Sequence, residues 1–352
     1  MEERKKPIVG ITLGDVNGIG PQVIMKALAD ERLYKFCQIL VFGEEAVIHF
    51  YKKALPNIKT QFHILKKNQE LKLHTKLPNL LECSDKPSIV NMGISNDFSG
   101  TLSLRFLNEA LFFLNQKKID VLVTGPVNKA YIKTNPPFSG HTEYLAQKAN
   151  VKDPLMIMNA DNIRVALVTQ HIPIQEVANT LTTQMIYDKI KQFHQSLIYD
   201  FGCQRPKIAV LALNPHGGEN GKIGKEEIDK IIPAIRKAEN EKIIVQGPFS
   251  SDSFFGSTKF PHFDGVLAMY HDQGLIPFKY IAGMDGVNFT ANLPYVRTSP
   301  DHGVALDIVD KDIADHRSMY NAILNALDIY HMRAHMQAMK SNPLPKINMK
   351  EL

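Results

Sequence analysis

The chain has 352 residues, of which 44% are hydrophobic and 22% charged, and its formal net charge is +5. This composition is typical of a globular protein, and the length exceeds what one hydrophobic core usually serves, so we expect two domains. The basic residues form no stripe with interleaved aromatic side chains, which argues against a nucleic-acid-binding protein.

The sequence also indicates the compartment. No apolar run approaches the roughly 20 residues that cross a bilayer, and the charged N-terminus has no apolar segment of signal-peptide length. Cys37, Cys83 and Cys203 are odd in number, widely spaced and outside any CxxC pattern. We therefore expect buried free thiols in a cytoplasmic protein that binds neither membrane nor nucleic acid.

The first predicted element is an apolar strand over 8–12, and the glycine-rich turn Gly14-Asp15-Val16-Asn17-Gly18-Ile19-Gly20 follows it. A helix begins next, with Pro21 in the first turn, where proline is favoured. Turns of this kind can bind phosphate on backbone amides. The glycine spacing fits neither the dinucleotide nor the Walker motif, so a phosphate site and a plain tight turn both stay open.

Strands and helices then alternate up to residue 128. Apolar runs predict strands over 36–43, 62–65, 88–92 and 121–123, and helical spacing predicts helices over 44–55 and 98–115. Asn96 or Asp97 is expected to cap the second of these helices. The strand over 121–123 ends in Thr124-Gly125-Pro126-Val127-Asn128-Lys129, so polar groups collect at its exit.

The middle of the chain begins with Ser139-Gly140-His141-Thr142-Glu143, which precedes a short helix over 144–148. The start of this helix either binds an anion or is simply capped by Thr142. Apolar runs over 155–158 and 163–168 predict a β-hairpin. Helices are predicted over 174–178, 184–199, 226–238 and 313–339, a strand over 243–246, and a glycine-rich loop over 217–224 that closes over a ligand.

Three histidines each follow an apolar run: His171 follows 165–170, His216 follows 208–215, and His271 follows 265–270. Residues just past the carboxyl ends of buried strands line the ligand crevice of open α/β sheets. A catalytic metal uses three protein ligands and one open position. We therefore predict a metal site that the fold assembles from these three residues.

Other polar residues follow the same logic. Asp252 lies just past the strand over 243–246, Asp272 follows His271, and Lys279 and Arg297 come next. Lysine and arginine near a strand exit suit an anionic substrate, and arginine offers two parallel donors. The alternation of strands with helices throughout predicts an α/β protein with a mostly parallel sheet.

These stretches resemble the 4-hydroxythreonine-4-phosphate dehydrogenase family of vitamin B6 biosynthesis. The matching segments, in family order from Ile11 to Gly303, are ITLGDVNGIGP, VTGPVNK, GHTEYLA, VTQH, NPHGGENGKIGKEE, GPFSSDSFF, MYHDQGLIPFKY and VNFTANLPYVRTSPDHG. The family usually has Asp-Pro-Ala-Gly where this chain has Asp15-Val16-Asn17-Gly18. The resemblance covers most of the chain; 50–95 and the last thirty residues are less similar.

The resemblance implies an α/β fold of the isocitrate/isopropylmalate dehydrogenase type, with two α/β/α domains and an interdomain active-site cleft. One domain would comprise 1–137 plus 280–352 and the other 138–279. It also implies a homodimer with the active site at the subunit interface. NAD or NADP would be the oxidant, and a divalent metal (zinc, magnesium or cobalt) would be bound.

Residue by residue, the resemblance assigns two sets of ligands. The metal would be held by His171, His216 and His271, one of which can reach in from the partner subunit. The small phosphorylated amino-acid substrate would be held by His141, Thr142, Lys279, Asn288 and Arg297.

The implied reaction oxidises 4-phosphooxy-L-threonine to 2-amino-3-oxo-4-phosphooxybutanoate, which loses CO2 to give 3-amino-2-oxopropyl phosphate. The metal would lower the pKa of the substrate hydroxyl and hold the enolate charge that builds up on decarboxylation. The base that takes the hydroxyl proton stays open among Asp272, Asp252 and Lys279, with Asp272 preferred.

Three alternatives remain. A paralogous dehydrogenase would act on D-threonate or D-erythronate 4-phosphate, which lack the amino group. A phosphate acyltransferase shares part of the architecture but needs no metal, so the three histidines argue against it. A metal-dependent binding protein without catalysis would leave Lys279, Asn288 and Arg297 with less to do.

Overall fold

The computed structural model describes residues 6–67, 69–84, 87–161, 163–257 and 260–341. These ranges contain twelve strands and eleven α-helices. The strands are β1 (Ile8–Thr12), β2 (Gln38–Gly43), β3 (His63–Leu65), β4 (Asn79–Glu82), β5 (Val121–Thr124), β6 (Leu155–Ala160), β7 (Ile163–Leu167), β8 (Lys207–Leu211), β9 (Ile244–Phe249), β10 (Gly265–Ala268), β11 (Val287–Ala291) and β12 (Val296–Pro300). The helices are α1 (Gly20–Ala27), α2 (Leu33–Phe36), α3 (Glu45–Ala54), α4 (Asp97–Asn115), α5 (His141–Lys148), α6 (Ile174–Thr180), α7 (Thr183–Tyr199), α8 (Ile232–Asn240), α9 (Ser251–Phe255), α10 (His271–Ala282) and α11 (Arg317–Ser341).

The strands form one sheet in the order β3-β4-β2-β1-β5-β12-β11-β6-β7-β10-β8-β9. Neighbouring strands are parallel except around β11 and β6: β11 is antiparallel to β12 and to β6, and β6 is antiparallel to β7. This mostly parallel α/β sheet confirms the predicted fold class. The division into two domains at 137, 138, 279 and 280 stays a prediction.

Several strands are buried along their whole length, which explains their uninterrupted apolar runs. Every residue of β5, β10 and β12 is buried, as expected for strands covered on both faces. In the second half of the sheet, one face packs against α9 and α10 through Leu211, Phe254 and Phe278. Three parallel strands of this half, β7, β10 and β8, lie side by side, so their carboxyl ends meet at one edge.

Most predicted elements lie within a few residues of the observed ones. Asn96 caps α4: its side chain accepts from the Ser99 amide at 2.9 Å, and the Ser99 hydroxyl accepts from the Asn96 amide at 3.1 Å. The predicted hairpin is confirmed by the antiparallel pairing of β6 and β7. Its predicted turn includes residue 162, which lies outside the described residues, as does the C-terminal segment after residue 341.

The strand predicted over 88–92 is wrong. This segment has no strand partner and instead packs against the first turn, where the Asn91 amide donates to Asn17 Oδ1 at 2.8 Å and Asn17 Nδ2 donates to the Ile94 carbonyl at 2.7 Å. Two short hydrogen bonds to one asparagine side chain therefore replace a strand ladder. The sequence interpretation also missed β4, which pairs with β2 and β3.

The three cysteines are free, as predicted, with Cys37 and Cys83 buried and Cys203 half-buried. Burial raises the pKa of the Cys37 thiol to about 12. In the part of the chain that the structure describes, no helix combines the length and the apolar character needed to span a membrane.

Candidate functional site

A cavity of about 370 Å³ lies over the middle of the sheet, where five segments converge. Its floor comes from alternate residues of three adjacent strands, because successive side chains of a strand point to opposite faces. These are Arg297 and Ser299 of β12, Asn288 of β11, and Met156 and Met158 of β6. Asn288 lies opposite both Ser299 and Met158 in the sheet register.

The walls of the cavity are the exits of several strands and the ends of two helices. They comprise Thr124, Gly125, Pro126, Val127 and Lys129 after β5, Gly140, His141, Thr142 and Glu143 at the start of α5, His171 after β7, His271, Leu275 and Lys279 of α10, and Pro300, Asp301, His302 and Gly303 after β12. All five predicted substrate residues line this one cavity: His141, Thr142, Lys279, Asn288 and Arg297.

Arg297 is the central cation of the floor. Its side chain is buried, with 2% of its surface exposed, and among the described residues its guanidinium donates to two hydroxyls. Nε and a terminal nitrogen donate to Thr124 Oγ1 at 3.2 and 2.6 Å, and the other terminal nitrogen donates to Thr290 Oγ1 at 3.0 Å. Burial lowers the pKa of Arg297 to about 10. Tyr295 and Glu143 oppose this effect electrostatically, but only in part. Among the described residues no carboxylate forms a salt bridge with the guanidinium, and such burial is costly in free energy, so the arrangement favours an anionic ligand.

Three buried polar atoms that line the cavity lack a hydrogen-bond partner among the described residues: Asn288 Oδ1, Glu143 Oε2 and His302 Nε2. Buried polar atoms in native proteins are almost always paired. Because Nδ1 of His302 lies 3.0 Å from the Gly303 carbonyl oxygen, that nitrogen carries the proton and Nε2 is an acceptor. The cavity therefore offers acceptors as well as cations, which suits a ligand that carries both charge signs.

The start of α5 contributes two of the predicted substrate residues. No side chain caps this helix, so the simple capping role of Thr142 is not observed, and the buried Thr142 side chain lines the cavity instead. Burial, together with repulsion from Arg297 and Lys129, holds the pKa of His141 well below its ordinary value of 6.5. His141 is therefore neutral at pH 7 and can donate or accept a hydrogen bond.

Two lysines complete the positive wall, and they differ in their partners. Lys279 Nζ lies 2.8 Å from Asp301 Oδ1 and 3.0 Å from its carbonyl oxygen, so its charge is already paired. Lys129 forms no salt bridge with any described residue, and its exposed side chain reaches the cavity. The sequence interpretation noticed the polar exit after β5 but did not assign Lys129, Glu143 or His302 to the site.

The predicted metal histidines are only partly assembled. His171 and His271 face each other, with ring centroids 5.9 Å apart, and His171 Nδ1 lies 3.7 Å from Glu143 Oε1. This contact, ahead of the opposing effect of burial, lowers the pKa of Glu143. His216 follows β8, the neighbour of β10, but it is exposed and does not line the cavity. Across the described ranges, no three histidine, cysteine or acidic side chains lie close enough to hold one metal ion.

The predicted bases lie in different places. Lys279 lines the cavity, whereas Asp252 is exposed on α9 and Asp272 on α10, and neither of these carboxylates lines it. Asp272 Oδ1 lies 2.7 Å from His271 Nδ1, which orients that imidazole. The identity of the base stays a prediction.

The glycine-rich turn after β1 packs closely against the segments that follow β5 and β12. Four of its amides donate within the protein: Asp15 to the Pro126 carbonyl, Asn17 to the Asp15 side chain, Gly18 to the Asp15 carbonyl and Ile19 to the Val304 carbonyl. A Cβ on Gly14, whose φ is +74°, would lie 2.3 Å from the Pro126 carbonyl oxygen. This arrangement favours the plain tight turn over the phosphate site.

Comparison with known proteins gives consistent results. The sequence profile of the family described as pyridoxal phosphate biosynthetic protein PdxA matches residues 35–326. The 4-hydroxythreonine-4-phosphate dehydrogenase of Bacteroides thetaiotaomicron is 43% identical over 98% of this chain and 94% of its own length. A protein of Oceanobacillus iheyensis, provisionally named D-threonate 4-phosphate dehydrogenase, is 36% identical over 92% of this chain and 98% of its own.

Among solved structures, a 4-hydroxythreonine-4-phosphate dehydrogenase of Klebsiella pneumoniae matches with a TM-score of 0.80 and 32% identity. The match covers 94% of this chain and 99% of that one. These results confirm the family resemblance predicted from the motifs.

Proposed function

The chain belongs to the PdxA family of pyridoxal phosphate biosynthetic proteins, and from that premise we propose that it is an NAD(P)-dependent 4-hydroxythreonine-4-phosphate dehydrogenase. In this reaction the secondary hydroxyl carbon of 4-phosphooxy-L-threonine gives a hydride to the nicotinamide and the hydroxyl gives up its proton. The resulting β-keto acid, 2-amino-3-oxo-4-phosphooxybutanoate, then loses CO2 to give 3-amino-2-oxopropyl phosphate. The product would serve pyridoxine 5'-phosphate synthesis.

The observation that carries this proposal is the unpaired guanidinium of Arg297 on the floor of the cavity. A phosphate or carboxylate of the substrate would supply the missing negative charge and accept two parallel hydrogen bonds. Lys129, which pairs with no described carboxylate, adds a second cation on the wall. The substrate is a phosphate monoester with a carboxylate, so it offers one anion to each cation.

The remaining lining residues support binding of the other substrate groups. The unpartnered oxygens Asn288 Oδ1 and Glu143 Oε2 would accept hydrogen bonds from the ammonium or the hydroxyl. The neutral His141 would bind the substrate without adding charge. Met156 and Met158 exclude water from the floor of the site, which strengthens the electrostatic contacts above them. Of the three proposed bases, Lys279 lines the cavity in which the substrate would bind, whereas Asp252 and Asp272 do not.

The proposed metal would be bound by His171, His216 and His271. The donor type fits a divalent transition metal, since imidazole suits zinc and cobalt, and His171 and His271 already face each other. His216 does not lie beside these two histidines in its own subunit. We propose that a second copy of the chain contributes its His216 as the third ligand. When bound, such a metal lowers the pKa of the substrate hydroxyl and stabilises negative charge on its oxygen.

We also propose that the active form is a homodimer. The outer face of α10 exposes Ile276 and Tyr280, at 67% and 90%, one turn apart on the helix that carries His271 and Lys279. Met284 just beyond this helix is 58% exposed. An apolar face of this kind beside a site with a missing ligand supports an interface with a second copy. The free cysteines support a reducing compartment, in line with the expected cytoplasm.

The cofactor would reach the same cavity. A volume of about 370 Å³ has room for a four-carbon phosphate and the nicotinamide ring, so the rest of NAD(P) would lie outside it. Four amides of the turn after β1 already donate within the protein, so we propose that the pyrophosphate is held elsewhere.

The experiment that tests the proposal is the formation of NADH or NADPH by the purified protein with 4-phosphooxy-L-threonine, with and without a metal chelator. The unphosphorylated 4-hydroxy-L-threonine serves as the matched control substrate. We expect turnover of the phosphate ester alone, lost with chelator. Equal turnover of the unphosphorylated compound would exclude binding of the phosphate by the cations of the cavity, and turnover that survives the chelator would exclude the metal.

A second candidate is a dehydrogenase of D-threonate or D-erythronate 4-phosphate. The observation in its favour is the 36% identity to the Oceanobacillus iheyensis protein of that provisional name. These sugar acids carry the same phosphate and carboxylate but no ammonium group. The two candidates therefore differ in whether the acceptors Glu143 and Asn288 are used by an amino group.

A further inference from the structure

The turn that carries His216 is fixed at its base by two buried side chains from other elements. The base is the tripeptide 212–214 after β8. On one side lies Glu227, which belongs to a π-helical segment (Glu227–Ile231) that leads into α8. On the other side lies Gln273, in the first turn of α10. Only 2% of Glu227 and 8% of Gln273 is exposed.

Glu227 binds the amide side of this base. Its Oε1 accepts from the backbone amides of Leu213 and Asn214, both at 2.8 Å, and its Oε2 accepts from the Asn214 side-chain amide at 3.0 Å. A Cβ on Gly218 would lie 2.6 Å from Glu227 Oε2, so the returning turn packs directly against the carboxylate. One buried carboxylate thus fixes both the start and the middle of the turn.

Gln273 binds the carbonyl side and joins three strand exits. Its Nε2 donates to the Ala212 carbonyl at 2.5 Å and to Ser251 Oγ at 2.8 Å, and its Oε1 accepts from the Met269 amide at 2.6 Å. These partners follow β8, β9 and β10. A single side-chain amide therefore connects the base of the His216 turn to the segment that carries His271.

The turn itself has an unusual backbone. His216, Gly217, Gly218, Glu219 and Asn220 are all left-handed, with φ between 46° and 76°. L-residues other than glycine disfavour this region, so a left-handed turn with three of them persists only where the surroundings enforce it. The contacts of Glu227 and Gln273 fix the residues from which this turn starts.

We infer that Glu227 and Gln273 are positioning residues that hold the left-handed turn so that His216 is presented as the ligand that one subunit gives to the metal site of its partner. The inference rests on the proposed metal role of His216. Neither residue touches substrate or metal. Positioning partners behind a metal ligand set its orientation, and their loss typically weakens metal affinity by about 10–100-fold.

The test uses the full-length protein and Co²⁺, with the dissociation constant and the visible absorption spectrum as readouts. Hydrogen exchange of the peptide over 211–224 is measured without metal, together with the melting temperature. Glu227→Met keeps the side-chain length but removes every acceptor. Glu226→Met is the matched control, because Glu226 accepts only from the Asn214 side-chain amide, at 2.7 Å, among the bonds at this base.

We expect Glu227→Met to bind Co²⁺ about 10–100-fold more weakly, to change the Co²⁺ spectrum and to exchange faster over 211–224. Glu226→Met should stay within a few-fold of the wild type. If Glu227→Met does not fold, Gln273→Met loosens the same base from the other side and carries the same expectation. Wild-type affinity and wild-type exchange in the folded variant would overturn the inference.

A fourth variant, His216→Ala, separates this inference from the proposed function. His216→Ala should weaken Co²⁺ binding at least as much as Glu227→Met. Unchanged binding in His216→Ala would refute the metal role of His216 and with it the positioning role. Weaker binding in His216→Ala but not in Glu227→Met would overturn the positioning role alone.

Discussion

Replacement of Arg297 by methionine should separate stability from ligand binding. The wild-type guanidinium is buried and donates to Thr124 and Thr290, and it forms no salt bridge with a carboxylate of the described residues. Replacing even a buried ion pair by apolar side chains of similar volume is often neutral or stabilising by roughly 1–4 kcal/mol, and Arg297 has no salt bridge with any described residue to offset the cost of its burial. We therefore expect Arg297→Met to unfold at the same temperature as the ligand-free wild type or above it.

The same substitution should remove most of the ligand response. Hydrogen bonds to charged groups contribute about 1.5–3 kcal/mol each, so loss of two costs about 3 kcal/mol, or roughly 100-fold in affinity. At a ligand concentration of about 100 times the wild-type Kd, the wild type gains about 2.7 kcal/mol and the variant about 0.4 kcal/mol. For a chain of this length that corresponds to shifts of roughly 3–5 °C and below 1 °C.

The assay is thermal unfolding with and without 4-phosphooxy-L-threonine. Arg333→Met is the matched control, because Arg333 Nε donates to Asp200 Oδ1 at 2.6 Å and the Asp200 side chain is only 6% exposed. Removing that partner leaves a buried carboxylate unpaired, so we expect a loss of about 1–3 kcal/mol with the ligand response intact. The reasoning is refuted if Arg297→Met loses stability like Arg333→Met and still responds to the ligand.

Three further predictions concern the cavity and its surroundings. His216→Ala should abolish metal-dependent turnover without unfolding the protein, as followed by metal content and circular dichroism; full activity would remove His216 from the metal site. Lys129→Ala should raise the KM for the phosphorylated substrate by about tenfold, the effect of roughly 1.4 kcal/mol, and an unchanged KM in steady-state kinetics would argue against a substrate contact. In the folded protein the pKa of His141 lies below its ordinary value of 6.5. As the pH drops below 6.5, the unfolded chain therefore binds a proton at His141 before the folded protein does. The free energy of unfolding then falls, by at most about 1.4 kcal/mol per pH unit. When melting temperatures are measured between pH 5 and 7.5, His141→Gln should show a smaller fall at low pH than the wild type. An equally steep fall in both proteins would contradict this.

Local sequence patterns predicted the elements whose formation depends on neighbouring residues, such as buried strands and helix caps. Continuous apolar runs predicted β5 and β10, because strands covered on both faces need no polar residue. The cap of α4 was predicted as Asn96 or Asp97 from their position, and the structure shows that it is Asn96. The segment over 88–92 misled because its residues serve a long-range contact, in which Asn17 binds its backbone.

The cavity depends on contacts between distant segments, which no local pattern reveals. The family motifs identified Arg297 as a substrate residue. They did not show that its guanidinium donates to a hydroxyl and not to a carboxylate, because that hydroxyl belongs to Thr124, 173 positions away. Lys129 and His302 belong to motifs that were recognised, yet their role becomes visible only when β5 and β12 lie side by side. Likewise, the histidine pattern indicated three ligands, whereas only the fold shows that His171 and His271 face each other and His216 does not.

The measurement that tests the central claim most directly is kcat/KM for 4-phosphooxy-L-threonine beside D-threonate and D-erythronate 4-phosphates, with NAD and NADP, in one metal-loaded preparation. The account predicts a clear preference for the amino acid, because the unpartnered acceptors of Glu143 and Asn288 suit its ammonium group. A preference for either sugar acid would keep the fold and the anion-binding cavity but contradict a role in vitamin B6 synthesis. No turnover of any of the three would contradict the dehydrogenase itself.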